Sequence, residues 1–275
     1  MPKLKCLSFT SFGSTFRYDD LIVPLLCRMT NLEELHLFLS VMRSNSTYID
    51  GIQLYDQFLL HMTQLRKFAF NIRTTVFNDN PAIELPLNED IQCSFVGRIH
   101  GPVASHIDTT STEIHRECHI YSLPYAFDCF VNLSNSFQGG MFDKVRYLRM
   151  NDSNPFEFDF FQLISQNFPA LKFLHLSNSG PQKAKQHLST SITFPHLTYL
   201  NLTESHVDYA EQFLLIKNAH VPRLMHLCIR YRSLVAITNN FTNDVTEFNF
   251  TTVKCIDGCE SFVRPKRFSQ YFPLV

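Results

Sequence analysis

Phe168-Pro169-Ala170-Leu171-Lys172-Phe173-Leu174-His175-Leu176 decides how this chain is read, because residues 194–202 repeat it 26 positions on as Phe194-Pro195-His196-Leu197-Thr198-Tyr199-Leu200-Asn201-Leu202. Each stretch ends in an apolar triplet: one residue, a second three places on, and a third two places later. Working outward, the triplet returns downstream as Leu224/Leu227/Ile229 and Val245/Phe248/Phe250. Upstream it returns as Val145/Leu148/Met150, Leu65/Phe68/Phe70, Leu32/Leu35/Leu37 and Leu4/Leu7/Phe9. The first residues of successive triplets are 28, 33, 80, 26, 26, 27 and 21 positions apart, and 80 is close to three periods of 27. Self-similarity at such a period is the mark of a chain built by stacking one small unit.

A period of this length with this triplet is that of leucine-rich repeats. Each triplet predicts a short strand whose apolar side chains turn inward while the residues between them point to the opposite face. Between triplets the period becomes helical. Ile52, Tyr55, Phe58, Leu59 and Met62 share a stripe, as do Tyr209, Phe213 and Ile216 after Asp208 as N-cap, and Phe160, Phe161, Ile164 and Phe168. Phe168-Pro169, Phe194-Pro195 and Val221-Pro222 stop a helix just before the next strand. The expected fold is therefore α/β, a leucine-rich repeat solenoid or horseshoe with parallel strands on the concave face and helices on the convex one.

The reading divides the chain into a solenoid over 1–254, with an irregular middle segment 71–141, and a capping tail over 255–275. In the middle, Ile91/Cys93/Phe95 and His119 to Leu123 alternate as strands of degenerate repeats would, and Gly101 to Thr112 is expected to be a mobile loop. Leu4 already belongs to a triplet, so a cap or partner is expected upstream of it. In the tail, Phe262, Phe268, Tyr271 and Phe272 are expected to cover the last repeat.

Composition narrows the function. Apolar residues make up 45% and charged residues 18%, enough for a continuous core, and the 27 phenylalanines often stand where leucine is usual. With a net charge of -1 and no basic run, nucleic acid is a poor partner. The N-terminus has no signal-like apolar run and no 18-residue apolar stretch occurs, so no membrane contact and a cytoplasmic or nuclear location are expected. The eight scattered cysteines lack the paired spacing of a disulfide scaffold and are expected to be reduced.

No phosphate loop, nucleophile elbow or HExxH is present, so neither catalysis nor a cofactor is expected. His115, Cys118 and His119, with Cys129 ten residues on, are the one zinc-like cluster. A strand there would splay them to opposite faces, and no metal site is assigned. Cys255 and Cys259 lack a metal spacing and read as one buried and one exposed thiol.

The residues between and beside the core positions form the candidate site. Strands in register would align Tyr147, Phe173, Tyr199 and His226 in one row and Arg149, His175, Asn201 and Cys228 in the next, with Arg230, Glu247 and Asn249 continuing the face. Aromatic and arginine side chains anchor protein interfaces, so a protein partner on the concave face is expected. The competing reading is that these aromatics simply pack against one another.

The chain resembles the leucine-rich repeat portion of F-box proteins, a large family in which an F-box precedes such repeats. The resemblance is carried by Cys118-His-Ile-Tyr-Ser-Leu-Pro-Tyr125, Asn154-Pro-Phe-Glu-Phe-Asp-Phe-Phe161, Asp208-Tyr-Ala-Glu-Gln-Phe-Leu-Leu215, Asn240-Phe-Thr-Asn-Asp244 and Phe262-Val-Arg-Pro265. It covers the chain from about 118 onward, and the first third only through the repeat itself. It implies substrate recognition for a ubiquitin ligase. An F-box docks a Skp-type adaptor and cullin, but this chain has no segment before Leu4 to serve as one, so that docking is expected only if an F-box is supplied upstream. The alternative is a free-standing repeat scaffold or inhibitor with no ligase role.

Overall fold

Seven of the eight triplets feed a β-strand, and in each the strand begins two residues after the triplet's first member. The computed structural model describes residues 4–77, 83–99, 101–108, 115–183, 191–258 and 264–275, with His115 described by its backbone alone. The local device is a tight turn. The first apolar residue of the triplet donates its N–H to the carbonyl three residues back, as Leu65 to Met62 (3.0 Å), Val145 to Phe142 (3.1 Å) and Leu171 to Phe168 (3.2 Å). This turn carries the chain out of the preceding element and into the sheet.

The chain divides into two compact units, Met1–Ala126 and Phe127–Val275. The first holds strands β1 (Cys6–Thr15), β2 (Glu34–Ser44), β3 (Lys67–Phe77), β4 (Val103–Asp108) and β5 (His115–Ser122) in the order β1-β2-β3-β5-β4. β1, β2 and β3 run parallel, whereas β5 pairs antiparallel with both β3 and β4. Helices α1 (Val23–Cys27), α2 (Gly51–Gln57) and α3 (Asn88–Ser94) belong to this unit. Asp50 caps α2 as its side chain accepts the Gln53 N–H at 2.8 Å. Leu35, Leu37, Phe70 and Ile72 are fully buried in the core beneath this sheet.

The second unit holds β6 (Cys129–Leu133), β7 (Tyr147–Asn151), β8 (Phe173–Asn178), β10 (Tyr199–Ser205), β12 (His226–Cys228) and β13 (Cys255–Asp257). They form one parallel sheet in sequence order, with a separate pair β9 (Ile192–Thr193) and β11 (Ala219–His220). Leu148, Leu174, Leu200 and Leu227 are opposite one another on consecutive strands and fully buried. Each contributes about 2 kcal/mol by leaving water. Helices α4 (Phe158–Asn167), α5 (Val207–Leu214), α6 (Tyr231–Ile237) and α7 (Phe268–Tyr271) complete the unit. Phenylalanines take leucine's place between the layers, with Phe161 edge-on to Phe213 at 5.1 Å and Phe142 stacked on Phe168 at 4.9 Å.

Four local expectations are corrected. Ile91/Cys93/Phe95 lie in and beside helix α3 instead of a strand, because Ile91 and Phe95, four apart, are the pair that is buried, and Asp90 accepts the Leu87 N–H at 3.0 Å to start the turn. Gly101 to Thr112 contains strand β4, and its last residues lie outside the described ones. The cap of α5 is His206, whose Nδ1 accepts the Asp208 N–H, not Asp208 itself. The eighth triplet makes no strand: Val245–Glu247 is a 3-10 turn, and the N–H of Val253 bonds to the Phe250 carbonyl at 3.1 Å to lead into β13 two residues on. The true apolar anchor is Val253, 29 residues after Leu224, followed by Ile256 but by Gly258 where the third apolar residue would stand. In the tail, Phe272 packs on Phe250 at 4.5 Å and Tyr271 on Phe241 at 5.3 Å, while Phe262 lies outside the described residues.

Candidate functional site

On the solvent side of the second unit's sheet, strand register brings the candidate residues into two rows. Tyr147 is opposite Phe173, Phe173 opposite Tyr199, and Tyr199 opposite His226. Arg149, His175, Asn201 and Cys228 align in the same way one step along. Neighbouring strands lie about 4.8 Å apart, so each row is a continuous ledge of side chains. Tyr147 and Phe173 are 36% and 41% exposed, high for large rings on a sheet. The rings touch as well: Phe173 lies 5.8 Å from Tyr199, and Tyr199 stacks on His226 at 6.3 Å. Mutual packing and exposure therefore coexist on this face, and cross-strand contacts pre-set the ring positions.

The second row carries charge. Glu204, past the bulge in β10, places its Oε2 3.6 Å from His175 Nε2 and 3.9 Å from Arg149 Nη2. Burial and Arg149 push the His175 pKa below its usual value, against the pull of Glu204, so a neutral imidazole is favoured. Among the described residues buried Arg149 Nε has no hydrogen-bond partner, and His175 Nε2 has only the long contact with Glu204. The Tyr199 hydroxyl lies 3.1 Å from Cys228 Sγ, and that contact, with burial, pushes its pKa up to about 12. Asn201 Oδ1 accepts from the Thr203 N–H and hydroxyl at 3.0 and 2.7 Å, which fixes its amide.

Three predicted residues lie elsewhere. Arg230 follows β12 and stands at the N-terminal boundary of α6, with no side-chain capping bond. Glu247 ends the 3-10 turn. Asn249 is buried, donating to the Phe213 and Ala219 carbonyls at 3.0 and 2.8 Å. Their places are taken by Cys255 and Asp257 of β13, opposite His226 and Cys228, and Cys129 of β6 stands opposite Tyr147. Glu204 was missed because the triplet marks only the start of β10, which runs on to Ser205.

The zinc-like cluster is split by its strand. Cys118 is buried in the core of the first unit, while His119 on the opposite face of β5 contacts the Asn71 amide. On that opposite face Arg73 holds Glu117 in a two-pronged pair, His106 packs edge-on to His119 at 5.0 Å, and Tyr125 bonds to Asn71. Among the described residues no three His, Cys, Asp or Glu side chains are grouped to hold a metal ion, and no helix is long and apolar enough to cross a membrane. No protein-family model, no curated protein and no solved structure matches this chain.

Proposed function

We propose that this chain is a non-enzymatic protein-interaction module of the leucine-rich repeat class, and that the solvent face of the second unit's sheet receives a protein partner. The observation that carries the reading is the register-aligned ledge of Tyr147, Phe173, Tyr199 and His226, in which Tyr147, Phe173 and His226 are exposed and Tyr199 is half-buried, beside Arg149, His175 and Glu204. Rigid aromatic rings give area at low entropic cost, and a neighbouring charged row sets specificity. The parallel strands β7, β8, β10 and β12, beginning 26, 26 and 27 residues apart, with α4 and α5 among their connections, support a repeat solenoid in this unit. The finer assignment, the substrate-recognition part of an F-box ubiquitin ligase receptor in the cytoplasm or nucleus, rests on the resemblance of the sequence blocks. It needs an F-box, a Skp-type adaptor and a cullin to act.

The test is affinity capture from the chain's own cells, comparing the natural protein with a Tyr147→Ala/Phe173→Ala/Tyr199→Ala variant. The variant should lose the bound partner by about tenfold or more while its unfolding midpoint stays close to the parent's, as hot-spot truncations do. Equal recovery by both proteins would move the interface off this face. Recovery of a Skp-type adaptor and cullin supports the ligase assignment, and reproducible partners without them favour a free-standing scaffold or inhibitor.

A further inference from the structure

A second site stands apart from the ledge. The second unit contains a cavity of about 340 Å³ where Ser179 follows β8, His206 follows β10 and Arg230 lies two residues beyond β12. It lies beyond the carboxyl ends of three neighbouring parallel strands, and its volume is at the small end of ligand pockets.

Two arginines, half-buried Arg230 and exposed Arg232, give it positive charge. Arg230 and Arg232 both line the cavity, and neither guanidinium forms an ion pair or side-chain hydrogen bond with any described residue. Ser233 also lines it, and its hydroxyl makes no hydrogen bond to a described residue. Asp208, the carboxylate on the adjoining wall, does not line the cavity. Its Oδ2 accepts the Gln182 N–H at 3.0 Å and lies 3.3 Å from His206 Nδ1. Ser179, Ser205 and His206 add polar groups to the lining, and Val207 and Ala236 supply its apolar part.

We propose that this cavity binds a small phosphate monoester, with the phosphate between Arg230 and Arg232, the Ser233 hydroxyl donating to it, and the organic part against Val207 and Ala236. Two forked guanidinium groups match a dianion with three free oxygens better than a single carboxylate. The apolar wall gives an ester an advantage over inorganic phosphate.

Isothermal titration of the full chain with phenyl phosphate, inorganic phosphate and a phosphoserine peptide tests this. Phenyl phosphate should bind at one saturable site, more tightly than the other two. Arg230→Gln and Arg232→Gln should each weaken it by about tenfold or more, the scale of a lost charge-assisted pair, with Ser233→Ala weakening it less. Unfolding curves show whether each variant is folded. Absence of saturable phenyl phosphate binding, or equal affinity in the folded arginine variants, overturns the proposal. Inorganic phosphate binding as tightly overturns the ester part, and a tighter phosphopeptide overturns the choice of a small molecule.

Discussion

His106 and His119 are the residues whose surroundings most change their chemistry. Burial pulls His106 down to about 4 and His119 well below its usual value, and Arg73 acts in the same direction on both, while Asp108 and Glu117 oppose it at His106. Both rings are therefore neutral in the folded protein but take up protons in the unfolded chain below about pH 6.5, so stability falls as pH drops from there toward 4. Each unit of separation is worth about 1.4 kcal/mol. Urea midpoints should decline between pH 7 and pH 5, and His106→Phe should reduce that slope; an unchanged slope would assign the pH dependence to other groups. Asn249 gives a second expectation at this scale. Asn249→Ala leaves the Phe213 and Ala219 carbonyls without their donor and should cost about 1–3 kcal/mol in chemical unfolding. The alignment of side chains on the ledge was legible because strand alternation and a repeat of 26 or 27 fix which of them stand together. Glu247 and Asn249 were misplaced because the eighth triplet matched by chance, whereas the strand hangs on Val253, whose triplet is broken by Gly258; Arg230 was misplaced because β12 stops at Cys228 and α6 begins at Tyr231.

Among the elements, seven strands announced themselves because a buried strand with a turn before it leaves an unmistakable apolar spacing. Helix α3 did not, since Ile91, Cys93 and Phe95 satisfy a period of two and, through Ile91 and Phe95, a spacing of four. Only burial decides between them, and it selects the second. The contact of α2 with α3 offers a direct test. The Gly51 N–H donates to Ser94 Oγ at 2.7 Å, and a Cβ at position 51 would lie 2.6 Å from the Ser94 carbonyl oxygen. Gly51→Ala should therefore push the two helices apart at a cost of about 1–3 kcal/mol, read as a lower urea midpoint. Gly13→Ala in β1, where a Cβ meets nothing within 4 Å, should leave the midpoint close to the parent's.

For the whole molecule, the repeat period implied parallel neighbours throughout, and it is silent on the reversal at β5. Antiparallel pairing of β3, β5 and β4 depends on how α3 and the connections around it route the chain, which spacing alone does not encode. Nor does spacing show that contacts gather into two units divided in sequence between Ala126 and Phe127. Net charge is readable directly. A formal charge of -1 and a pI near 6.9 leave little mutual repulsion at neutral pH. Light scattering should find the most self-association near pH 7 and less at about pH 8.5, where net charge is larger.

The tyrosine ledge also has an optical consequence. The chain has no tryptophan, so its intrinsic emission comes from ten tyrosines, of which Tyr18, Tyr48, Tyr121, Tyr125, Tyr209 and Tyr271 are buried. A dissolved collisional quencher can reach chiefly Tyr55, Tyr147, Tyr199 and Tyr231, and two of these stand on the proposed interface. The unlabelled protein thus carries its own lamp for that surface, and a docking partner would be seen as the shading of Tyr147 and Tyr199 from the quencher.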